Sequence, residues 1–592
     1  MQRIIIKPIL VSLAVLALIF GVIMAFITSP FFKYPQNGAY PASRIESLIW
    51  PTIGCPALAL PGGTIEVEMD LRADGSETQP AEVPAWRAVI TPAREELKSL
   101  SYELPLLDSL VATSNHWPDR EDVWRARFQL PEQVGKELYD LRVDAELPGR
   151  RISGSQPHAL SVAPDNDNNF DFIVLSDIHV HERDNSSLLV YQTDKGISDE
   201  GEPLFLEEAI KQVNLIRPDF VLMLGDYTRG QRRPGELLIE YEKFYRALLD
   251  LNVPAFLVPG NHDGYINEID GLRFFEENIG PAYFSFDVGG CHFTCLNTYD
   301  WPAEDRVVMN KLFYMGPRKW QGQVRGASDE KNPSTYSGEL AWAESDLAAH
   351  DRASLKVMAM HHDPYSVNGG GYAYRNVVRG VFDTRGGGGK GREALLTMGS
   401  RHDIGVVFGG HLHSDELGRV AWADGGGETI YTCQNPVYFG AGGESDEYPA
   451  YRLVEIRNGR VDSMSYLDGV SSFPFYDGSV PMGITDIDLL QLPALQFQSE
   501  TGEDGGFHAN IDISNYLASP MLLEGLVIEA PQAAVSGFEV EGGEIYQVLP
   551  IAGKPGRVLL YIRVSLAAGD PGPSAEIPGE PAVTRIVVRT LN

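Results

Sequence analysis

The chain has 592 residues, with 48 Lys and Arg against 81 Asp and Glu, for a formal charge of −33. So acidic a surface argues against a nucleic-acid partner, because phosphate backbones are held by positive fields. Hydrophobic content of 43% with 10% aromatics is that of a folded protein rather than a disordered one, and the length calls for several domains.

Arg3 and Lys7 precede an apolar run from Ile9 to Phe32, with no charge before Lys33. That is about the length that crosses a bilayer core of ~30 Å. A cleaved signal peptide has a shorter apolar region and a small-residue cleavage site, and Ala25 to Phe32 offers a poor one. Residues 1–32 therefore predict a transmembrane anchor. Positive residues before the span stay cytoplasmic, which sends the rest of the chain to the extracytoplasmic side. The alternative is secretion after signal cleavage.

Residues 33–165 predict a β domain. Ile65, Val67, Met69 and Leu71 alternate with Glu66, Glu68 and Asp70, and Trp124, Ala126 and Phe128 alternate with Arg125 and Arg127, the period of half-buried strands. The run Leu138 to Val143 contains Tyr139 and resembles the late strand of an immunoglobulin-like sandwich, where a tyrosine closes a corner. The four cysteines, at 55, 291, 295 and 433, imply no disulfide framework. Cys291 and Cys295 on one strand would lie ~13 Å apart, beyond the reach of a disulfide.

Residues 166–470 change to strand–helix alternation. Strands are expected at Phe172 to Leu175, Phe220 to Leu224, Ala255 to Val258, Leu355 to Met360 and Ile404 to Phe408. Helices are expected at Leu204 to Ile216, Glu236 to Leu251, Glu339 to Ala349 and Arg392 to Met398. Tyr283 to Phe286 and His292 to Leu296 predict a hairpin, and Ile430 to Cys433 and Tyr451 to Glu455 predict closing strands. This is a layered α/β domain. Residues 471–592 return to β, with strands at Leu522 to Ile528, Val558 to Val564 and Val583 to Val588.

Five motifs carry the chemistry: Asp177-Ile178-His179, Gly225-Asp226, Gly260-Asn261-His262-Asp263, His361-His362 and Gly410-His411-Leu412-His413. Each is expected where a strand runs out, so all could converge at one sheet edge. A carboxylate and an imidazole two residues apart can serve one metal ion, Asp226 has two oxygens with which to bridge a pair of ions, and Asn261 adds a neutral oxygen. Mixed nitrogen and oxygen donors without thiolates suit two divalent ions of Mn, Fe, Zn or Co better than Ca or a structural zinc.

In this order the motifs resemble the calcineurin-like metallophosphoesterase superfamily over roughly 170–470. The resemblance implies a four-layer α/β/β/α sandwich. It also implies that Asp177, His179, Asp226 and His413 hold one metal, and that Asp226, Asn261, His361 and His411 hold the other. Asn261 and His262 would contact the phosphate, and His262 would serve as general acid. The implied reaction is in-line attack on a phosphate mono- or diester by a metal-activated hydroxide. Family members usually show His-x-Pro or His-His-Pro at the fourth motif, whereas this chain reads His361-His362-Asp363-Pro364. His361 is the favoured ligand because it directly follows its strand; His362 then faces substrate or solvent.

An immunoglobulin-like domain ahead of the catalytic one resembles the purple acid phosphatases. Those use a tyrosine three residues after the bridging aspartate and lack the histidine of Asp-x-His. This chain has Arg229 and His179 at those positions, so no tyrosinate–iron colour is expected. Exported nucleotidases usually read Asn-His-Glu, unlike Asn261-His262-Asp263.

Two basic stretches, Arg306 to Arg325 and the glycine-rich run from Gly369 to Arg392, are candidates to draw anionic substrate inward, with Gly386 to Gly389 as a candidate lid. The expected whole is a membrane-anchored, outward-facing metallophosphoesterase flanked by two β domains. The rival is a surface-binding protein whose β domains carry the function over a scaffold metallo-domain.

Overall fold

The computed structural model describes residues 15–21, 43–72, 76–118, 120–163, 168–180, 204–229, 236–264, 270–302, 321–326, 336–365, 391–413, 416–437, 450–464, 480–481, 494–501, 506–515, 520–532, 537–551, 553–570 and 580–591. No helix among them is long and apolar enough to cross a membrane. Of the expected anchor, residues 15–21 are described, as helix with Val15, Leu16, Leu18, Ile19 and Phe20 exposed; the remainder lies outside the described residues. So do most of both basic stretches. Arg325, at the end of the first, is ion-paired with Asp300, and Arg392, at the end of the second, with Glu393.

Near the N-terminus a four-stranded and a five-stranded sheet form. Ile65, Val67, Met69, Trp124, Ala126 and Phe128 all point inward, as the alternation requires. Glu68 breaks the pattern by being buried. Its carboxylate is stabilised there by the Ser114 hydroxyl and by the Asn115 amide at 2.7 Å, since a buried carboxylate needs such donors. Tyr139 donates its hydroxyl to the Gly135 carbonyl at 2.9 Å, tying the strand to the loop before it. All four cysteines are buried and none is in a disulfide.

Two six-stranded sheets make the centre. In the first, Ala255–Leu257, Phe220–Met223 and Phe170–Leu175 run parallel, and Ala450–Arg457 and Arg460–Met464 close it antiparallel. In the second, Cys291–Leu296, Leu355–His362, Val406–Gly410 and Glu428–Cys433 run parallel, with Phe284–Val288 and Glu416–Ala421 antiparallel at the edges. Strand alternation sorts the side chains of each sheet between two cores. Phe172, Phe220, Phe293 and Phe408 share one core between the sheets. There Phe172 stacks on Phe220 at 4.8 Å and meets Phe293 and Phe408 edge-on at 5.6 Å, geometries that suit the ring quadrupole. Ile173, Leu175, Val221 and Met223 face the helices Leu204–Ile216 and Glu236–Leu249. Met358, Met360 and Val407 face Gly338–Ala349 and Arg392–Arg401.

The last two sheets, of four and three strands, pack their apolar residues into the same core as the Leu204–Ile216 helix. Arg217, just past that helix with φ 55°, donates to the Lys136 carbonyl at 2.6 Å and the Tyr546 hydroxyl at 2.5 Å. One buried guanidinium thus joins the N-terminal, central and C-terminal parts of the chain.

One difference from the sequence reading bears on function. The Leu355 strand does not stop at Met360 but runs to His362, so both histidines are strand residues. Pairing with Val406–Gly410 shifts register between Ala359 and His362: Ala359 opposes Phe408, and His362 opposes Gly410. The shift accommodates one extra residue, as in a β-bulge.

Candidate metal centre

All five motifs gather at the C-terminal ends of the parallel strands. The backbone there is not the simple continuation of a strand that the x-y-x spacing suggested. Asp177, His179, Asp226, His411 and His413 all have positive φ, between 49° and 73°. A left-handed backbone is unfavourable for such residues and persists where surroundings over-determine it. Those surroundings are visible. The Asp177 amide donates to the Gly225 carbonyl at 3.1 Å and the His179 amide to the Asp226 carbonyl at 2.9 Å. The Ser176 hydroxyl and the His411 amide both donate to Asp177 Oδ2, at 2.6 and 2.9 Å. Gly225, at φ +91°, has the Gly260 backbone where a Cβ would sit, which explains a glycine in the second motif.

The predicted residues form two adjoining groups. In one, His413 Nε2 lies 3.2 Å from Asp177 Oδ1 and 3.1 Å from His179 Nε2, and His179 Nε2 is 3.8 Å from Asp226 Oδ2. In the other, His361 Nε2 lies 3.0 Å from Asn261 Oδ1 and 3.2 Å from Asp226 Oδ2. The His411 ring is 5.2 Å from that of His361. Asp226 Oδ2 belongs to both groups, while its Oδ1 accepts the His262 amide at 2.7 Å.

The donor chemistry fits cations. His361 Nδ1 is 2.7 Å from the Leu224 carbonyl, which can only accept, so the ring hydrogen is on Nδ1 and a lone pair leaves Nε2. That lone pair faces two oxygens, a repulsion that a positive charge between them would relieve. A proton can supply it: burial alone would lower the His361 pKa, but Asp226 and Asp177 push it up to about 9. A metal ion supplies it equally. Asp177 Oδ1 is fully buried, and among the described residues two imidazole nitrogens converge beside it, of His413 at 3.2 Å and His179 at 3.8 Å. Burial holds His179 well below its ordinary pKa and, helped by the nearby His361, takes His411 to about 3, leaving both in the neutral form that binds metal.

His362 is also at the centre, but it does not face solvent. It is fully buried, its ring 4.4 Å from that of His411. His262 is partly open, its side chain 20% exposed, as is that of His413 at 23%. His262 Nδ1 is 3.2 Å from the Arg229 carbonyl and its Nε2 4.0 Å from Asp226 Oδ2.

Two functional residues escaped the sequence reading. Asp263, quoted in the third motif without a role, is fully buried. It accepts the amides of Gly260 and Asp226 at 2.8 Å and of Tyr227 at 3.1 Å, and the Tyr241 hydroxyl at 3.2 Å. It clamps the second motif to the third. Thr298, beyond the Cys291–Leu296 strand, contacts His362; its position past a parallel strand was the available signal.

Residues 170–415 match the family model of the calcineurin-like phosphoesterases. Serine/threonine-protein phosphatase CPPED1 of Homo sapiens is 26% identical over 231 residues, 37% of this chain and 62% of its own length. The protein of the same name from Bos taurus is 32% identical over 104 residues, 17% of this chain and 33% of its own. An acid phosphatase of Aspergillus ficuum is 22% identical over 244 residues, 38% of this chain and 36% of its own. The chain thus spans a little over three-fifths of the human relative's length.

Proposed function

We propose, from the membership of residues 170–415 in the calcineurin-like phosphoesterase family, that this chain is a metal-dependent phosphoesterase with a dinuclear site. The observation that carries the reading is the lone pair of His361 Nε2 facing Asp226 Oδ2 and Asn261 Oδ1. Asp177, His179, His413 and Asp226 would hold one divalent ion, and Asp226, Asn261, His361 and His411 the other. The donor set suits Mn, Fe, Zn or Co. Such a pair of ions lowers the pKa of bound water and neutralises phosphoryl charge.

The chain's own contribution is positioning and proton handling. The carbonyl of Arg229 accepts, so His262 carries a hydrogen on Nδ1, and Nε2 is the atom that can hold a second, transferable proton. Its partly open position suits donation of that proton to the leaving oxygen. Asp263 keeps the His262 loop against Asp226.

The paired central sheets and their outer helices are read as a four-layer α/β/β/α sandwich, flanked by an immunoglobulin-like domain and a C-terminal β domain. The exposed apolar side chains of residues 15–21 agree with an N-terminal anchor, and Arg3 and Lys7 ahead of it would put the catalytic part outside. Release of the full-length chain from membranes by alkaline carbonate would refute the anchor.

The relatives are named phosphatases, which places aryl monophosphates first among substrates to try. The test is a screen of mono-aryl against bis-aryl phosphates, with metal analysis of the same sample. Turnover that scales with bound divalent metal is expected. Bound metal without hydrolysis of either class would favour the scaffold reading.

A further inference from the structure

At the other end of the second central sheet, a cross-strand pair meets a helical pair. Asp287 and His292 oppose each other in the hairpin of Phe284–Val288 and Cys291–Leu296, so their side chains share a face. Asp346 and His350 lie four residues apart at the end of the Gly338–Ala349 helix, which sets them on one side of it. His292 is in register with Lys356, six residues before His362 on the same strand. At ~3.3 Å per residue that is ~20 Å, so this cluster is separate from the five motifs.

Both imidazoles are held from behind. Asp346 accepts the Ser285 and Thr294 hydroxyls at 2.8 and 3.0 Å, and its Oδ2 is 2.9 Å from His292 Nε2. His350 Nδ1 is 2.7 Å from the Asp346 carbonyl, which can only accept, so a neutral ring keeps its lone pair on Nε2. The other two nitrogens turn to one carboxylate: His292 Nδ1 is 2.9 Å from Asp287 Oδ1, and His350 Nε2 is 3.9 Å from Asp287 Oδ2. One donor atom each of Asp287, His292 and His350 lies within 4.8 Å of the others. Imidazoles that bind metal almost always give their other hydrogen to a carboxylate or a main-chain carbonyl, and here there is one of each. An Asp287–His292 ion pair accounts for one ring and leaves the second, on the same carboxylate, unexplained. The cluster is also open: Asp287 is 59% exposed and His350 35%, while His292 is buried behind them.

We propose that Asp287, His292 and His350 form a separate binding site for a divalent transition-metal ion, outside the dinuclear centre. Two imidazole nitrogens and a carboxylate oxygen suit Zn, Ni or Cu better than Ca or Mg, and zinc completes such a set with water. Ligation replaces the hydrogen between His292 Nδ1 and Asp287, since a ligating nitrogen must be deprotonated. The two rings stack at 3.7 Å with planes 10° apart, so the His350 ring tilts out of the stack to turn its nitrogen onto the shared ion. Its place at the helix end leaves room for that. The ion ties the edge hairpin to the helix, and its site is independent of the phosphoesterase reading.

The test is zinc binding to the full-length chain, by equilibrium dialysis and elemental analysis, in the parent, His350→Ala and Asp287→Asn. Both substitutions fall on exposed side chains and leave the buried His292–Asp346 contact in place. The parent should hold one zinc ion per chain more than either variant, with turnover of an aryl monophosphate unchanged. Equal zinc in all three proteins overturns the proposal, and so does a loss confined to one variant, because three donors would then not share an ion. Loss of turnover together with zinc also overturns it, since the cluster would then not be separate from the centre. If the parent holds a single zinc ion and both variants hold none, the dinuclear reading fails and this site stands.

Discussion

The Nε2 atom of His361, on one central sheet, stands 3.2 Å from Oδ2 of Asp226, which follows a strand of the other. The contact joins the two sheets at their functional edge, and it makes Asp226 the residue on which both groups of donors depend. Asp226→Asn replaces a bridging carboxylate with a neutral amide and should abolish both bound metal and turnover. His361→Ala should remove one ion per chain and leave the Asp177 group able to bind the other. Elemental analysis after dialysis against a weak chelator reads both. Full metal content in Asp226→Asn would sink the bridging assignment.

Asp263 holds its loop by accepting from three amides and one hydroxyl. Asp263→Ala leaves those buried donors without an acceptor, at a cost of ~3 kcal/mol or more. Urea unfolding should show a lower midpoint with an unchanged slope. A loss below ~1 kcal/mol would mean that water replaces the carboxylate.

His292 sits far along its strand from the centre, bonded at 2.9 Å to both Asp287 and Asp346. Burial alone would lower its pKa, but the two carboxylates push it up to about 9. The folded protein therefore holds this proton more tightly than the unfolded chain does. The stabilisation is complete below about pH 6.5 and is lost as pH rises through about 9. Its size is roughly 1–3 kcal/mol, at the lower end because Asp287 is well exposed. Chemical denaturation across pH 6 to 10 should show this decline, and His292→Gln should flatten it. An equal decline in the variant would assign the effect elsewhere.

The iron-loaded protein should show no tyrosinate charge-transfer band. Arg229 stands where the purple enzymes carry their tyrosine. The adjacent Tyr227 donates its hydroxyl toward the carbonyls of Met223 and Val258, at 3.0 and 2.6 Å, and so is held away from the site. A visible absorption spectrum checks this; a purple sample contradicts it.

Much of the site was legible before folding was considered. Asp177, His179, Asp226, Asn261, His411 and His413 are each marked by a short motif past an apolar strand, and strand runs reveal themselves through local periodicity. The parallel strands supplied the common edge. Helix and strand ends were read less well: the Arg392 helix extends to Arg401 and the Leu355 strand to His362. Their ends depend on pairing and packing partners distant in sequence.

The sequence by itself determined which donors exist and in what order they arrive, because ligand chemistry belongs to side chains and motif spacing is local. Only the tertiary structure decided what each donor does. The register shift at Ala359 and His362 brought two consecutive histidines to one centre. Tertiary structure also set a carbonyl behind His361 and a hydroxyl behind His362. The proton on an imidazole follows the partner of its other nitrogen, and here those partners, Leu224 and Thr298, lie just past strands of different sheets.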